Sequence, residues 1–306
     1  MKDIAIHIKD ISKKFDEVIA LNQISIEINR GELFGLIGPD GAGKTTLFKI
    51  LTTLLKPDSG QAFLENLDVT REISNVRESI GYMPGKFSLY QDLTIFENLS
   101  FFATAFGTTI EENYHLIKDI YTQIEPFKNR KAGALSGGMK QKLALCCALI
   151  HKPKVLLLDE PTTGVDAVSR KEFWQMLNNI KSQGITIFVS TPYMDEASMC
   201  ERIALIQNGS ILSIETPQNV AASFPLQLFE IKANNKYDLI NHLKKWKKST
   251  YCYAFGEYIH WASTDNNISN ETIKNYLTEV NFNSIVVNKT NATVEDTFIY
   301  LMQQSS

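Results

Sequence analysis

Residues 38–45 read GPDGAGKT, and this stretch decides the fold. It matches the pattern G-x-x-x-x-G-K-[ST] and lies between the apolar run ELFGLIG (32–38) and the apolar-periodic segment GKTTLFKILTTLL (43–55). A glycine-rich turn between a buried strand and a helix binds phosphate, because its amides and the helix N-terminus attract anions. This context disfavours a glycine-rich turn that binds no nucleotide. We therefore expect a nucleotide-binding α/β domain.

Three residues of this phosphate-binding loop have distinct predicted roles. Lys44 neutralises charge on the β- and γ-phosphates and is a candidate catalytic residue, Thr45 ligates Mg²⁺, and Thr46 contacts an α-phosphate. The predicted ATP-binding set in this stretch is Gly38, Pro39, Asp40, Gly41, Ala42, Gly43, Lys44, Thr45 and Thr46.

A second apolar run, KVLLLDEP (154–161), ends in two adjacent acids. Asp159 emerges at the end of a predicted strand, where it suits Mg²⁺ held through water. Glu160 beside it is the candidate that orients or deprotonates the attacking water. The alternative, a structural acid pair, is disfavoured because burying two unpaired charges is costly. A third strand, TIFVS (186–190), is followed by STPYMDEA (190–197), in which Ser190 and Thr191 are further candidates for phosphate contact.

The segment LSGGMKQ (135–141) predicts another anion-binding turn. Ser136, Gly137 and Gly138 precede the helical run MKQKLALCCALI and so lie at a helix N-terminus. A second phosphate-binding turn in one domain is unexpected for a simple kinase, since one ATP does not require both.

Taken together, GPDGAGKT, LSGGMKQ and LLLDEPTTGVD resemble the ATP-binding subunit of an ABC transporter over roughly residues 4–220. The resemblance implies that two subunits pair head to tail, with each ATP between the Lys44 loop of one chain and the LSGGM turn of the other. It also implies that Phe15 stacks on adenine, although a buried aromatic at a sheet edge is an equal alternative. Asp166 would be the loop aspartate that communicates across the dimer.

Two positions depart from the family pattern. A histidine that contacts the γ-phosphate and helps hold the attacking water is replaced by Pro192, and the five histidines lie elsewhere. A glutamine that contacts Mg²⁺ and water is replaced by Gly85, with Gln91 as a distant substitute. Both losses affect this chain's own nucleotide, whereas the turn at Ser136 that serves a partner is intact. The pattern therefore resembles the degenerate half of an asymmetric pair, whose own site binds ATP and turns over slowly.

The expected fold is α/β, a P-loop NTPase domain of ABC type over residues 1–222, followed by a small α+β domain over residues 223–306. Alternating apolar residues in 1–30 predict antiparallel strands, and residues 90–150 predict a helical subdomain that contains LSGGM. The second domain reads β-α-β-β-α-β, which is ferredoxin-like. Its basic run KKWKK (244–248) predicts a solvated helix face with Trp246 packed inward.

Composition limits where such a protein acts. The 306 residues carry a net charge of -3, so a basic nucleic-acid footprint is absent and no nucleic-acid partner is expected. No window approaches the about 18 apolar residues of a spanning helix, and the first ten residues lack a signal-peptide core. The four cysteines form no CxxC pair and are expected to be reduced. Any membrane role must therefore come through a partner, and the resemblance implies a peripheral protein at the cytoplasmic face of the cell membrane.

The leading functional hypothesis is the ATPase subunit of an ABC exporter. Its expected partners are membrane permease subunits and a second ATP-binding subunit that is a different chain. STPYMDEA and VEDTFIYLM resemble the multidrug or antibiotic-resistance exporter type. Helices within residues 90–130, near Tyr90, would form the docking face. Two alternatives are a regulatory ATP-binding subunit with little turnover and a soluble ABC protein that acts on ribosomes or DNA.

Overall fold

The computed structural model describes residues 3–265 and 267–304. The chain forms two compact units, Met1–Pro217 and Gln218–Ser306. The predicted boundary at residue 222 lies at the other end of a short helix, Pro217–Ala222. This helix is tied to the second unit because the Thr297 hydroxyl donates a hydrogen bond to the Val220 carbonyl at 3.0 Å.

The first unit combines runs of strands with runs of helices. The strands there are β1 Ile4–Phe15, β2 Val18–Asn29, β3 Leu33–Ile37, β4 Ser59–Leu64, β5 Leu67–Asp68, β6 Ile80–Met83, β7 Val155–Asp159, β8 Thr186–Thr191, β9 Arg202–Gln207 and β10 Ser210–Glu215. The helices are α1 Lys44–Leu51, α2 Ile73–Ser79, α3 Ile95–Ala105, α4 Ile110–Tyr121, α5 Gly137–Leu149 and α6 Ala167–Ser182, and α7 is Pro217–Ala222 at the junction.

The central sheet has the strand order β10-β9-β3-β8-β7-β6, parallel except for the β9–β10 pair. Every residue of β3, β7 and β8 is buried, as the apolar runs predicted for strands covered on both faces. Because β3, β8 and β7 are parallel neighbours, their C-terminal ends lie along one edge of the sheet, where the predicted functional residues follow them.

A second, antiparallel sheet has the order β2-β1-β4-β5 and includes the hairpin predicted for residues 1–30. Helix α1 shares one apolar core with both sheets, and its Phe48 ring lies 4.8 Å from the Phe188 ring of β8. The apolar pattern predicted a longer α1. The helix instead ends at Leu51, because the Thr52 hydroxyl bonds back to the Phe48 carbonyl at 2.8 Å and Thr53 turns to φ 63°.

The predicted helical subdomain consists of α3, α4 and α5, which pack against one another. Thr94 and Thr109 begin α3 and α4 with capping boxes, in which the threonine and a glutamate three residues later satisfy each other's backbone amides. Within the described ranges, each helix is too short or too polar to span a membrane. The four cysteines are buried and free.

The second unit has the predicted β-α-β-β-α-β order. Its elements are β11 Gln227–Lys232, α8 Lys236–Lys245, β12 Tyr251–Phe255, β13 Tyr258–Ser263, α9 Asn270–Glu279, β14 Val286–Thr290 and the closing helix α10 Val294–Gln304. The antiparallel strand order is β12-β13-β11-β14. Trp246 packs inward as predicted, stacked 4.1 Å from the Tyr276 ring, and Lys248 pairs with Asp265 at 3.1 Å.

Candidate nucleotide site

The phosphate-binding loop leaves β3 and enters α1 at Gly43, whose φ of 106° is left-handed. A Cβ on Gly43 would lie 2.4 Å from the Ala20 carbonyl oxygen of β2, so only glycine fits there. The loop is anchored to the sheet because the Gly38 amide donates to the Thr191 carbonyl at 3.2 Å. It therefore has a fixed position at the edge where β3, β7 and β8 end.

Lys44 is buried beneath this loop. Its Nζ donates to the carbonyls of Gly38 and Pro39 at 2.8 and 2.9 Å, and it lies 3.0 Å from Oε1 of Glu160. The ammonium is thus held by dipoles of the loop and by one carboxylate. These are weaker partners for it than phosphate oxygens, which carry more negative charge.

Asp159 ends β7 and is also buried. The Ser190 hydroxyl donates to its Oδ1 at 2.7 Å, and the Thr45 side chain bonds to the same carboxylate. Burial raises the pKa of Asp159 above its ordinary value, because it outweighs the opposing effect of the two hydroxyls. A carboxylate next to a threonine hydroxyl is a set of hard oxygen ligands, and this set fits Mg²⁺.

Glu160 adopts φ 50°, a left-handed conformation uncommon for residues other than glycine. Its amide donates to the Ser190 carbonyl at 3.1 Å and to the Ser190 hydroxyl at 3.0 Å. Successive side chains of a strand point to opposite faces, so this turn is what lets Glu160 contact Lys44 while Asp159 contacts Thr45. The predicted catalytic residues Lys44 and Glu160 therefore lie at one site, next to the predicted metal ligand Asp159.

The prediction that Ser190 and Thr191 contact phosphate is wrong. Both are fully buried, and their hydroxyls are already bonded to acids. Ser190 serves Asp159, and the Thr191 hydroxyl donates to Glu196 at 2.5 Å. Sequence reasoning missed Glu196, which is buried and also accepts from the Thr162 hydroxyl at 3.1 Å.

The LSGGM turn begins α5, with Ser136 as its N-cap residue accepting from the Met139 amide at 3.4 Å. Gly138 packs so closely that a Cβ there would lie 2.9 Å from the Ser169 hydroxyl, and Gly137 faces the Gly164 carbonyl. The turn therefore contacts the loop that follows Glu160. Gly137 lines the same small pocket as Glu160, whereas the Lys44 ammonium contacts Gly38, Pro39 and Glu160.

Asp166 ends the loop that follows Glu160. It caps α6 by accepting from the amides of Val168 and Ser169 at 3.1 and 3.0 Å. These bonds, with the one from Ser169 the stronger, lower the pKa of Asp166. Asp166 thus fixes the start of α6 next to the LSGGM turn, which contacts Gly164 and Ser169.

Phe15 ends β1 opposite Val18 and is 45% exposed. The alternative that it is a buried edge aromatic is therefore wrong. The Lys13 ammonium lies 5.5 Å from the centroid of this exposed ring. The same hairpin contacts the phosphate-binding loop through Ala20, which limits the closest approach of Gly43.

Gly85 lies directly beside the predicted metal ligand. A Cβ on Gly85 would stand 3.1 Å from the Asp159 carbonyl oxygen, closer than ordinary van der Waals contact. Gln91 is exposed, and its carbonyl accepts from the Gly133 amide at 2.9 Å, in the helical subdomain. Pro192 follows Thr191, and the next ring, Tyr193, lies 4.8 Å below the Arg170 guanidinium.

An apolar groove of about 490 Å³ lies between the helical subdomain and the sheet. The walls of this apolar groove include Leu54, Tyr82, Phe102 and Phe106. Two basic residues, Lys49 and Arg77, also line it. Of the helices predicted to form a docking face, α3 contributes to it. Tyr90 is exposed and stacks edge-on against Phe101 rather than lining the groove.

A family model described as "ABC transporter" matches residues 21–163. Over 219 residues the chain is 40% identical to the "Probable multidrug ABC transporter ATP-binding protein YbhF" of Escherichia coli, covering 71% of this chain and 38% of that protein. It is 34% identical over 260 residues to the "Nod factor export ATP-binding protein I" of Burkholderia lata, covering 81% of this chain and 86% of that one.

Solved structures of ABC transporter ATP-binding proteins also align with this chain. The cbiO1 subunit of the cbiONQ ABC transporter complex from Clostridium perfringens aligns with a TM-score of 0.65 and 27% identity over 80% of this chain and 96% of that chain. The post-hydrolysis dimer of the cassette MJ0796, bound to ADP and Pi, aligns with a TM-score of 0.62 and 28% identity over 69% of this chain and 98% of that one.

Proposed function

The chain belongs to the ABC transporter family, and from that premise we propose that it binds and hydrolyses ATP to power a membrane exporter. The observation that carries this proposal is the cluster of Lys44, Glu160, Asp159 and Thr45 at the C-terminal edge of the parallel sheet. The names of its relatives, a multidrug transporter protein and a Nod factor export protein, support the exporter class.

In the proposed mechanism, Lys44 exchanges the Gly38 and Pro39 carbonyls for the β- and γ-phosphates of ATP. Thr45 and Asp159 would hold Mg²⁺, which when bound neutralises charge that develops on the transferring phosphoryl group. Glu160, released from Lys44 by the same exchange, would orient the attacking water and accept its proton. The glycine-rich loop contributes amides that hold the phosphates, and Phe15 offers its exposed ring to the adenine.

The LSGGM turn is proposed to complete the nucleotide site of a second subunit. Ser136 and the glycines after it lie at the N-terminus of α5, and this chain's own phosphate-binding loop does not use them. We infer an asymmetric pair, in which the site at Lys44 holds ATP and the partner's site does the faster chemistry. Gly85 and Pro192 support this, because neither supplies the side chain that would contact Mg²⁺ or the γ-phosphate.

The apolar groove supports the proposed membrane partners. Its walls are aromatic and aliphatic, and it lies beside Gly85 and the strand end that precedes it, so that an occupant would be near the nucleotide. We propose that a cytoplasmic segment of the permease docks there and holds the chain at the cytoplasmic face of the membrane. Hydrolysis would then change the orientation of the permease through this contact.

A regulatory subunit with little turnover is the second candidate function. The same two substitutions favour it, and it differs from the first in how much catalysis remains. The presence of Glu160, paired with Lys44 at 3.0 Å, supports slow hydrolysis over none.

The test is to purify the chain from membranes with whatever ABC subunit accompanies it, and to inactivate the two sites one at a time. Glu160→Gln in this chain should lower the ATPase rate slightly, because ATP still binds at Lys44, whereas the equivalent change in the partner should abolish most of the rate. Comparable losses from the two variants would refute the asymmetric pair. Failure of the wild-type complex to bind ATP in the presence of Mg²⁺ would refute the proposed function itself.

A further inference from the structure

Glu196 is a buried carboxylate that joins three separate parts of the first unit. It lies in the 3₁₀ turn Met194–Met199 and is 4% exposed. Its Oε2 accepts hydrogen bonds from the Thr191 hydroxyl at 2.5 Å and the Thr162 hydroxyl at 3.1 Å. Its Oε1 faces Nη1 of Arg170 at 3.8 Å. A charge this deeply buried costs free energy unless such partners hold it.

Each partner belongs to a different functional segment. Thr191 ends β8, and its carbonyl accepts from the Gly38 amide of the phosphate-binding loop. Thr162 lies two residues after Glu160, in the loop 161–166 that packs against the LSGGM turn. Arg170 lies on α6, which begins at the end of that loop. One carboxylate therefore connects the segment that holds phosphate with the segment that faces the partner subunit.

The same cluster surrounds the position where the family's histidine is missing. The Tyr193 amide donates to the Thr191 hydroxyl at 3.1 Å, and the Tyr193 ring lies below the guanidinium of Arg170. Pro192 stands between these two anchored residues and has no side chain that could bind a phosphate. Pro192 therefore offers no side chain through which bound ATP could act on loop 161–166, and the hydrogen bonds of Thr191 are a remaining route from this strand end.

We propose that Glu196 is a positioning residue that couples ATP at the Lys44 site to loop 161–166, and through it to the partner subunit. The inference rests on the proposed function. ATP that displaces Lys44 from Gly38 and Pro39 changes the contacts of the phosphate-binding loop. The Gly38 amide of this loop donates a hydrogen bond to the Thr191 carbonyl. Thr191 and Thr162 share one carboxylate oxygen, so a shift of the strand end changes the position of the loop. Because the two threonines act through one acceptor, the loss of either should uncouple the site.

The experiment compares Thr162→Val, Thr191→Val and the double variant in the complex purified with its accompanying ABC subunit. The affinity for a fluorescent ATP analogue is measured in a complex whose partner lysine is replaced, so that the signal reports the Lys44 site. The ATPase rate is measured with the partner intact. Each single variant should keep the affinity within about twofold and lower the rate about tenfold, because a small misplacement at a distance suffices for such a loss. The double variant should lose about tenfold rather than about a hundredfold, since coupled residues are not additive.

Controls separate coupling from folding. Thr191→Ser and Thr162→Ser keep the hydroxyls and should restore the wild-type rate. Thr186→Val removes a buried hydroxyl from the other end of β8, where it accepts from the Gly31 amide at 2.9 Å, and should leave the rate unchanged. Glu196→Gln, which keeps the shape but loses the charge, should lower the rate without lowering the affinity.

Three results would overturn the proposal while leaving the proposed function in place. The first is a wild-type rate in both single valine variants of a complex that binds and hydrolyses ATP normally. The second is a double variant whose loss is the product of the single losses, because the two threonines would then act independently. A loss of rate in Thr186→Val equal to that of Thr191→Val would also overturn it, since general weakening of β8 would explain both.

Discussion

Replacing Pro192 by histidine should raise the turnover at the Lys44 site. Proline fixes φ near a value that other residues also adopt, so histidine can take this position without a change of backbone. One transition-state donor is worth about 10²- to 10³-fold in rate. We expect a gain of about 10- to 100-fold, because the side chain must still find its orientation between two anchored neighbours, Thr191 and Tyr193.

The corresponding change at Gly85 should do less. A Cβ there would stand 3.1 Å from the carbonyl oxygen of Asp159, so Gly85→Gln must push the loop back by a few tenths of an ångström before its amide can act. Displacing the residue that precedes Glu160 opposes any gain, and we expect less than about a threefold change. The structure thus predicts an order, with histidine at 192 more effective than glutamine at 85.

The assay is the ATPase rate of the complex whose partner lysine has been replaced, so that turnover reports the Lys44 site alone. Lys44→Ala combined with Pro192→His should show no gain, and Pro126→His, an exposed proline in the helical subdomain, should behave as wild type. A gain from Gly85→Gln as large as that from Pro192→His would refute the steric reasoning. An unchanged rate in Pro192→His with normal ATP affinity would refute the explanation of slow turnover.

Three further predictions concern binding, stability and docking. Gly43→Ala should weaken ATP binding at least about tenfold in a fluorescence titration, because its φ is left-handed and its methyl group would meet the Ala20 carbonyl at 2.4 Å. Asp296 is a buried residue of α10 whose carboxylate accepts from the Tyr251 hydroxyl and the Thr293 amide, both at 2.8 Å, and contacts His260 Nδ1 at 2.7 Å. Asp296→Asn should therefore destabilise the second unit by about 3 kcal/mol in chemical denaturation. Burial raises the pKa of Asp296, but its hydrogen bonds outweigh this and lower it, so its contribution is complete above the ordinary aspartate pKa and is lost as the pH falls through the lowered value; the asparagine variant should lack that acid-induced loss. Phe102→Ala in the apolar groove should reduce co-purification with the permease at unchanged ATP affinity, whereas Phe96→Ala, exposed on the same helix, should not.

The phosphate-binding loop and the acids after β7 could be predicted because each is a local pattern. An apolar run, a glycine-rich turn and a helix occur in sequence order, so spacing alone places Lys44 at the C-terminal edge of a sheet. The same holds for the helix that begins at Ser136. The β-α-β-β-α-β order of the second unit could be predicted for a similar reason, because short apolar strands and amphipathic helices follow one another there with short connections.

Features that depend on contacts between residues distant in the sequence could not be predicted from it. Glu196 lies in a polar stretch that is typical of a solvated turn, and its buried position depends on partners distant in sequence, such as Thr162, 34 residues away. The short strands β6, β9 and β10 were missed because brief apolar runs do not distinguish strands from loops. The left-handed turn at Glu160 also leaves no signal, since the sequence shows two adjacent acids and not the bend that joins them at one site.

The left-handed backbone at Glu160 lowers the stability of the fold at a residue that the proposed mechanism uses. A glutamate held at φ 50° costs about 1 kcal/mol relative to a relaxed backbone, and a glycine would adopt the same angle freely. Glu160→Gly would relieve this backbone strain, but it would also leave the buried Lys44 ammonium without its carboxylate and remove the group proposed to activate water. One strained residue thus holds a carboxylate against a buried ammonium at the place where the proposed chemistry needs it.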